Sequence, residues 1–234
     1  MMKIWNALSV CIICLVLALL GAGFSPLFAP TGTAEAVNGG EAAPTVIIDA
    51  GHGGIDGGAT GVNGVAEKDL NLAVARQLAA YCRLMGYTVI ETRTEDRSLA
   101  DENAKKGHVK QSDLENRLKI ARAHPEALFI SIHMNTFPGE ACRGLQVWYS
   151  ENHEASLQLA HAVQSHVKET LQPTNNRKVK AATSSIYILR HIECPAILIE
   201  CGFLTNEEEC RLLSCESYQK QLALTLAAAI EKMS

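Results

Sequence analysis

Apolar residues along this chain fall into two alternating patterns, short unbroken runs and longer stretches with helical spacing. The short runs are Thr45–Ala50, Tyr87–Glu91, Leu128–His133, Leu145–Ser150, Tyr187–Leu189 and Ala196–Glu200, each of strand length. Several are apolar at nearly every position, as strands covered on both faces are. Between them, Leu70, Val74, Leu78, Cys82 and Met85 recur at helical spacing over Glu67 to Met85, and Gly86 stops that helix. Leu157, Ala160, Val163 and Val167 do the same within Glu154 to Leu171. Ser112-Asp113-Leu114-Glu115 predicts a capping box opening a helix to about Ala123. Asn206 predicts the cap of a short helix with an acidic start, and Tyr218–Met233 the last helix. Strands alternating with helices through mostly non-hairpin connections predict an α/β fold, a mostly parallel open sheet with helices on both faces.

Three of the strand-like runs end in polar side chains. Val46-Ile47-Ile48-Asp49-Ala50-Gly51 leads into His52, Leu128-Phe129-Ile130-Ser131-Ile132 into His133, and Ala196-Ile197-Leu198-Ile199 into Glu200. In an open α/β sheet the loops at the carboxyl ends of strands converge on one crevice. A polar group there is costly to bury without a partner, so its repetition asks for an explanation. Glu67 opens the helix after the glycine-rich loop Gly51 to Gly64, which points its carboxylate back toward the same crevice. His52, Glu67 and His133 then make a two-histidine, one-glutamate set, a recurrent catalytic zinc site with an open fourth position. Asp49 is expected either to orient His52 from behind or to hydrogen-bond the glycine loop. Spacing alone is a weak guide, since no HExxH joins the ligands and 14 residues lie between His52 and Glu67. The remaining histidines, 108, 124, 153, 161, 166 and 191, sit in polar or helical surface settings.

Composition narrows the class. The chain has 234 residues, 47% hydrophobic and 20% charged, with a net charge of −4, which suits one catalytic domain over residues 45–234 and gives no footprint for nucleic acid. Aromatic residues make up 5%, too few for an aromatic-lined sugar groove. Lys3 precedes an uncharged apolar run, Ile4 to Phe24, so residues 1–24 read as a signal peptide or a membrane anchor, with Ala34-Glu35-Ala36 as a cleavage site. Residues 25–44, rich in Pro, Gly, Ala and Thr, read as a linker. Either reading exports the body to the outer face of the membrane or the wall. Of eight cysteines, Cys11 and Cys14 form the one CxxC, inside the apolar run, so a structural zinc knuckle in the body is unsupported. Cys82 and Cys201 are expected to act as small buried hydrophobes.

The segment Val46 to Gly61 (VIIDAGHGGIDGGATG), with Glu67-Lys68-Asp69-Leu70-Asn71-Leu72 after it, resembles the opening motif of the zinc-dependent N-acetylmuramoyl-L-alanine amidases. Ser131-Ile132-His133-Met134-Asn135 resembles the second histidine motif of that family, and Pro195 to Asn206 (PAILIECGFLTN) its closing motif. The resemblance spans residues 45–232, departing at Ala50, where Pro is common, and at Thr205, where Ser is. It implies that His52, Glu67 and His133 hold Zn2+, that Glu200 is the catalytic carboxylate, and that the substrate is the amide between muramic acid and L-alanine in peptidoglycan. Arg190 is expected either to contact a peptide carboxylate or to make a surface ion pair, and Asn135 to touch substrate or to fix its loop. With no appended wall-binding repeat, the layout is similar to that of germination-specific spore cortex amidases, which make muramic-δ-lactam together with a deacetylase. A general wall amidase shares every catalytic residue. A zinc carboxypeptidase would place its first histidine and glutamate closer together, and a non-catalytic wall-binding module would lack one of the four. An activating protein partner, and membrane association through residues 4–24, remain open.

Overall fold

Six strands form one sheet within residues 43–233, the part of the chain described by the computed structural model. The expected signal or anchor, and the linker up to residue 42, lie outside the described residues. The elements run β1 (Thr45–Ala50), α1 (Glu67–Leu84), β2 (Thr88–Glu91), α2 (Val109–Arg122), β3 (Leu128–Asn135), β4 (Gln146–Tyr149), α3 (Ala155–Thr170), β5 (Lys180–Ala181), α4 (Tyr187–His191), β6 (Ala196–Phe203), α5 (Glu207–Leu213) and α6 (Glu216–Glu231). Strand order is β2-β1-β3-β6-β4-β5. All pairs are parallel except β4 against β6. The mostly parallel sheet is as expected.

Alternation along the strands sorts their side chains into two cores. Val46, Ile48 and Ala50 of β1, Ile130 and Ile132 of β3, and Ile197 and Ile199 of β6 pack with Leu78 of α1, Val163 of α3 and Leu226 of α6. On the other face Ile47, Phe129, Ala196 and Leu198 meet Leu118 and Ala121 of α2 and Ile188 and Leu189 of α4. Each fully buried large side chain contributes about 1.5–3 kcal/mol. This second face turns polar toward the carboxyl ends: Asp49 follows Ile47, Ser131 and His133 follow Phe129, and Glu200 follows Leu198. The register sets Asp49 beside Ser131 and His133 beside Glu200.

Three elements differ from the sequence reading. Tyr187–Leu189 is the start of helix α4, not a strand. Only three apolar residues mark it, and so short a run cannot distinguish the two periods. Helix α2 begins at Val109, three residues before the expected capping box. Ser112 instead donates to Asp101, and Glu115 accepts from the Tyr187 hydroxyl, so both side chains tie the helix to distant segments. The two-residue edge strand β5 carries no hydrophobic pattern of its own. Asn206 does cap α5, accepting from the Glu209 amide. All six described cysteines are free, with Cys82 and Cys201 buried. Among the described residues no helix is long and apolar enough to cross a membrane.

Candidate active site

Strands β3 and β6 deliver His133 and Glu200 as neighbours on one face, since their register pairs these two residues. His52 arrives differently. It follows Gly51 just past β1, with φ of 61°, the one described non-glycine residue with positive φ. That conformation costs on the order of 1–3 kcal/mol and persists only where its surroundings impose it. The glycine loop then turns back onto helix α1: the Glu67 amide donates to the Ala59 carbonyl at 2.9 Å, and Ala59 N donates to Glu67 Oε2 at 2.9 Å.

The three expected ligands converge. His133 Nδ1 lies 3.0 Å and His52 Nε2 3.3 Å from Glu67 Oε1. The two imidazoles stand edge to face, centroids 4.9 Å apart. One candidate ligand atom from each of the three lies within 4.8 Å of the other two, the one such cluster among the described residues. Glu200 Oε2 is buried without a hydrogen-bond partner. Two imidazole nitrogens, one carboxylate and an adjacent unpartnered carboxylate fit a divalent metal with a position open to substrate. His52, His133 and Glu200 border a cavity of about 230 Å³, walled by Lys110, Leu114 and Arg117 of α2 and by Ser185 to Ile188 opposite. A roomier cavity, about 580 Å³, lies near Arg177 and Glu209, away from these groups. Glu209 there is already engaged by the Phe203 and Gly144 amides.

Charge follows contact. Burial pushes the Glu67 carboxyl up, but the hydrogen bonds and charges of His133 and His52 outweigh it and hold the group well below the carboxylate range. Burial lowers His52, yet Glu67 and Asp56 together leave it raised. Glu200 is pushed up to about 7 by burial, with the Glu67 charge adding to the effect.

Asp49 does not orient His52. It is completely buried, accepts from Thr92 and Ser131 and pairs with Arg117. Arg117 in turn donates to the carbonyls of Ala50 and His52, each at 2.8 Å, so Asp49 reaches the loop through that arginine. The acceptor behind His52 is Asp56, 3.0 Å from Nδ1. Asp56 and Arg117 were not singled out in the sequence. For Arg117 the signal was an arginine on the apolar side of α2, next to Leu118 and near Leu114 and Ala121. Arg190 lies exposed on helix α4 rather than at a strand end, and Asn135 is half-buried at the end of β3. Neither lines the cavity of His52, His133 and Glu200.

Two substitutions test this scaffold. Arg117→Met leaves Asp49 buried and unpaired, with an expected loss of about 3–5 kcal/mol in urea unfolding. A loss under about 1 kcal/mol would show the pair to be dispensable. Gly51→Ala would place a Cβ 2.3 Å from the His133 ring. We expect the displaced ring to weaken metal binding at least tenfold with the fold intact, measured by metal titration beside circular dichroism.

An open α/β sheet presenting this cluster in a cleft at its strand ends defines a hydrolase with a metal-capable site. Comparison with known proteins narrows the class. Residues 46–232 match the family model described as N-acetylmuramoyl-L-alanine amidase. The chain is 36% identical over 186 residues to the germination-specific N-acetylmuramoyl-L-alanine amidase of Bacillus subtilis, covering 79% of this chain and 77% of that one. The CwlD amidase of Clostridioides difficile, solved in complex with the GerS lipoprotein, superposes with a TM-score of 0.77 at 39% identity, over 81% of this chain and 98% of that one. The AmiC2 amidase of Nostoc punctiforme superposes with a TM-score of 0.70 at 31% identity, over 82% and 98%. The chain belongs to the N-acetylmuramoyl-L-alanine amidase family and is an amidase of peptidoglycan.

Proposed function

We propose that this chain hydrolyses the muramoyl–L-alanine amide with a zinc ion held by His52, Glu67 and His133, outside the cytoplasmic membrane, in maturation of spore cortex. The observation that carries the chemistry is the convergence of those three side chains beside the unpartnered Glu200 carboxylate. When bound, zinc supplies Lewis-acid polarisation of the scissile carbonyl and brings the pKa of a water to about 7. Glu67 remains a carboxylate, and Asp56 holds His52 through its far nitrogen. Glu200 takes the proton of the attacking water and passes it to the leaving amine. Leu114, Ile186 and Ile188 give the cavity beside Glu200 an apolar wall.

Purified peptidoglycan treated with the protein should release free N-terminal L-alanine. Release of C-terminal amino acids instead would favour a carboxypeptidase. The cortex role is supported by likeness to the germination-specific relative. A strain lacking the protein should then lack muramic-δ-lactam in its spore muropeptides by mass spectrometry, whereas unchanged lactam with altered vegetative wall would favour a general wall amidase. Export is supported by the position of the substrate and by Lys3 with Ile4 to Phe24. A fusion of residues 1–44 to a reporter active only after export should give signal, and a silent fusion counts against it. A lipoprotein partner fits the same reading, since the Clostridioides difficile amidase is solved with one.

A further inference from the structure

Three consecutive carbonyls of the segment that carries His52 are held by two arginine side chains. Arg117 takes those of Ala50 and His52. Arg93, two residues past β2, donates through Nε to Ala50 O at 2.9 Å and through Nη2 to Gly51 O at 3.0 Å. The same Nη2 donates to the carbonyl of Lys68 at 2.8 Å, in the first turn of α1 and one residue after Glu67. One planar guanidinium, 2% exposed, therefore spans the segment ending in His52 and the helix turn beginning with Glu67.

The neighbours of Arg93 strengthen this bridge. Asp96 accepts from Gly54 N at 2.8 Å and from Lys68 Nζ at 2.6 Å, and Lys68 Nζ also donates to Gly54 O. A Cβ on Gly53 would come within 2.2 Å of the Arg97 carbonyl, so the loop after β2 lies directly against the glycine loop. Chain continuity cannot fix the 3.3 Å approach of His52 to Glu67, because 14 residues rich in glycine separate them. His52 also sits in a conformation that outside contacts must impose. A rigid fork with several donors suits this task, and a single ammonium head does not.

We propose that Arg93 is a positioning residue of the metal centre. By tying the Ala50 and Gly51 carbonyls to that of Lys68, beside Asn71, which donates to Gly51 O and Glu67 Oε1, it fixes the separation of His52 and Glu67 and hence the affinity for a divalent metal. The proposal rests on the metal reading above.

Arg93→Lys keeps the charge and loses the fork. With the full chain, zinc affinity is read by competition with a chromophoric chelator, coordination by the visible bands of the cobalt-substituted protein, and folding by circular dichroism. We expect the zinc Kd to rise about 10- to 100-fold, the size of effect seen when an outer partner of a metal ligand is lost. The cobalt bands should shift while the fold persists. Val163→Ala, a truncation in the core behind the sheet, controls for lost stability and should leave the zinc Kd within about twofold. An unchanged Kd in Arg93→Lys, or an equal rise in Val163→Ala, overturns the proposal. Should Arg93→Lys fail to fold, Asp96→Ala at the exposed end of the bridge carries the test: a severalfold rise supports the proposal, and no rise overturns it. A wild-type chain that binds no zinc overturns the metal reading itself, whereas tight wild-type binding with unaffected variants overturns the role of Arg93 alone.

Discussion

Glu200→Gln is expected to fold, to bind metal and to hydrolyse its substrate more slowly by a factor on the order of 10²–10⁴. Glutamine has nearly the volume of glutamate, and Glu200 Oε2 has no protein partner to lose, so the strand end should keep its packing. What disappears is the ability to take a proton. Burial first, and the Glu67 charge after it, push the Glu200 carboxyl up to about 7, so the base form dominates only above that pH. A bound cation favours the ionised form and moves the transition down. The wild-type kcat/KM profile should therefore show an acid limb at or below about pH 7, and the glutamine variant should keep only the part that protonation of the histidine ligands contributes. Metal content measured beside the rate decides the role. A variant that loses metal would make Glu200 a ligand, and one that keeps near-normal rate would put the base elsewhere.

His133→Ala should fail in a different way. It removes one of three candidate ligands and one of the partners of Glu67 Oε1, at 3.0 Å, so the metal itself should be lost. The fall in affinity should exceed the roughly 10–100-fold typical of losing an outer partner, and hydrolysis should drop to background. Chelation of the wild-type protein should reproduce that loss, and added zinc should reverse it. Added zinc should not rescue the variant at concentrations that saturate wild type. Full activity in a verified metal-free sample would end the zinc reading.

The parts of the site legible in the sequence are those where strand and ligand share one short segment. Val46 to His52 and Leu128 to His133 each announce a buried strand and then place an imidazole toward its carboxyl end. Because parallel strands point their carboxyl ends the same way, that local signal was enough to bring the histidines together. The supporting shell was not legible, because its bonds join residues far apart in sequence. Arg117 meets Asp49 across 68 positions, and Arg93 meets Gly51 across 42. Of the two roles open to Asp49, orienting His52 fails and support of the loop holds only through an arginine on α2, of which sequence proximity to His52 gave no hint. Asp56 stood four residues from His52 in a loop whose path depends on positive-φ glycines, and no periodicity describes such a path. The misreading of Tyr187 to Leu189 has a related cause. Its apolar residues pack with Leu118 and Ala121 of α2, and three of them fit either period.

Strands β3 and β4 are consecutive in the chain, yet β6 lies between them in the sheet. β3 and β4 therefore join the same sheet only through residues 196–203. His133 gains Glu200 as its neighbour only when that late strand is inserted, 67 residues after it in sequence. Pairing over such a distance is slow compared with helix formation or hairpin closure. A chain interrupted before β6 would carry all three candidate metal ligands but not Glu200, the carboxylate proposed as the base.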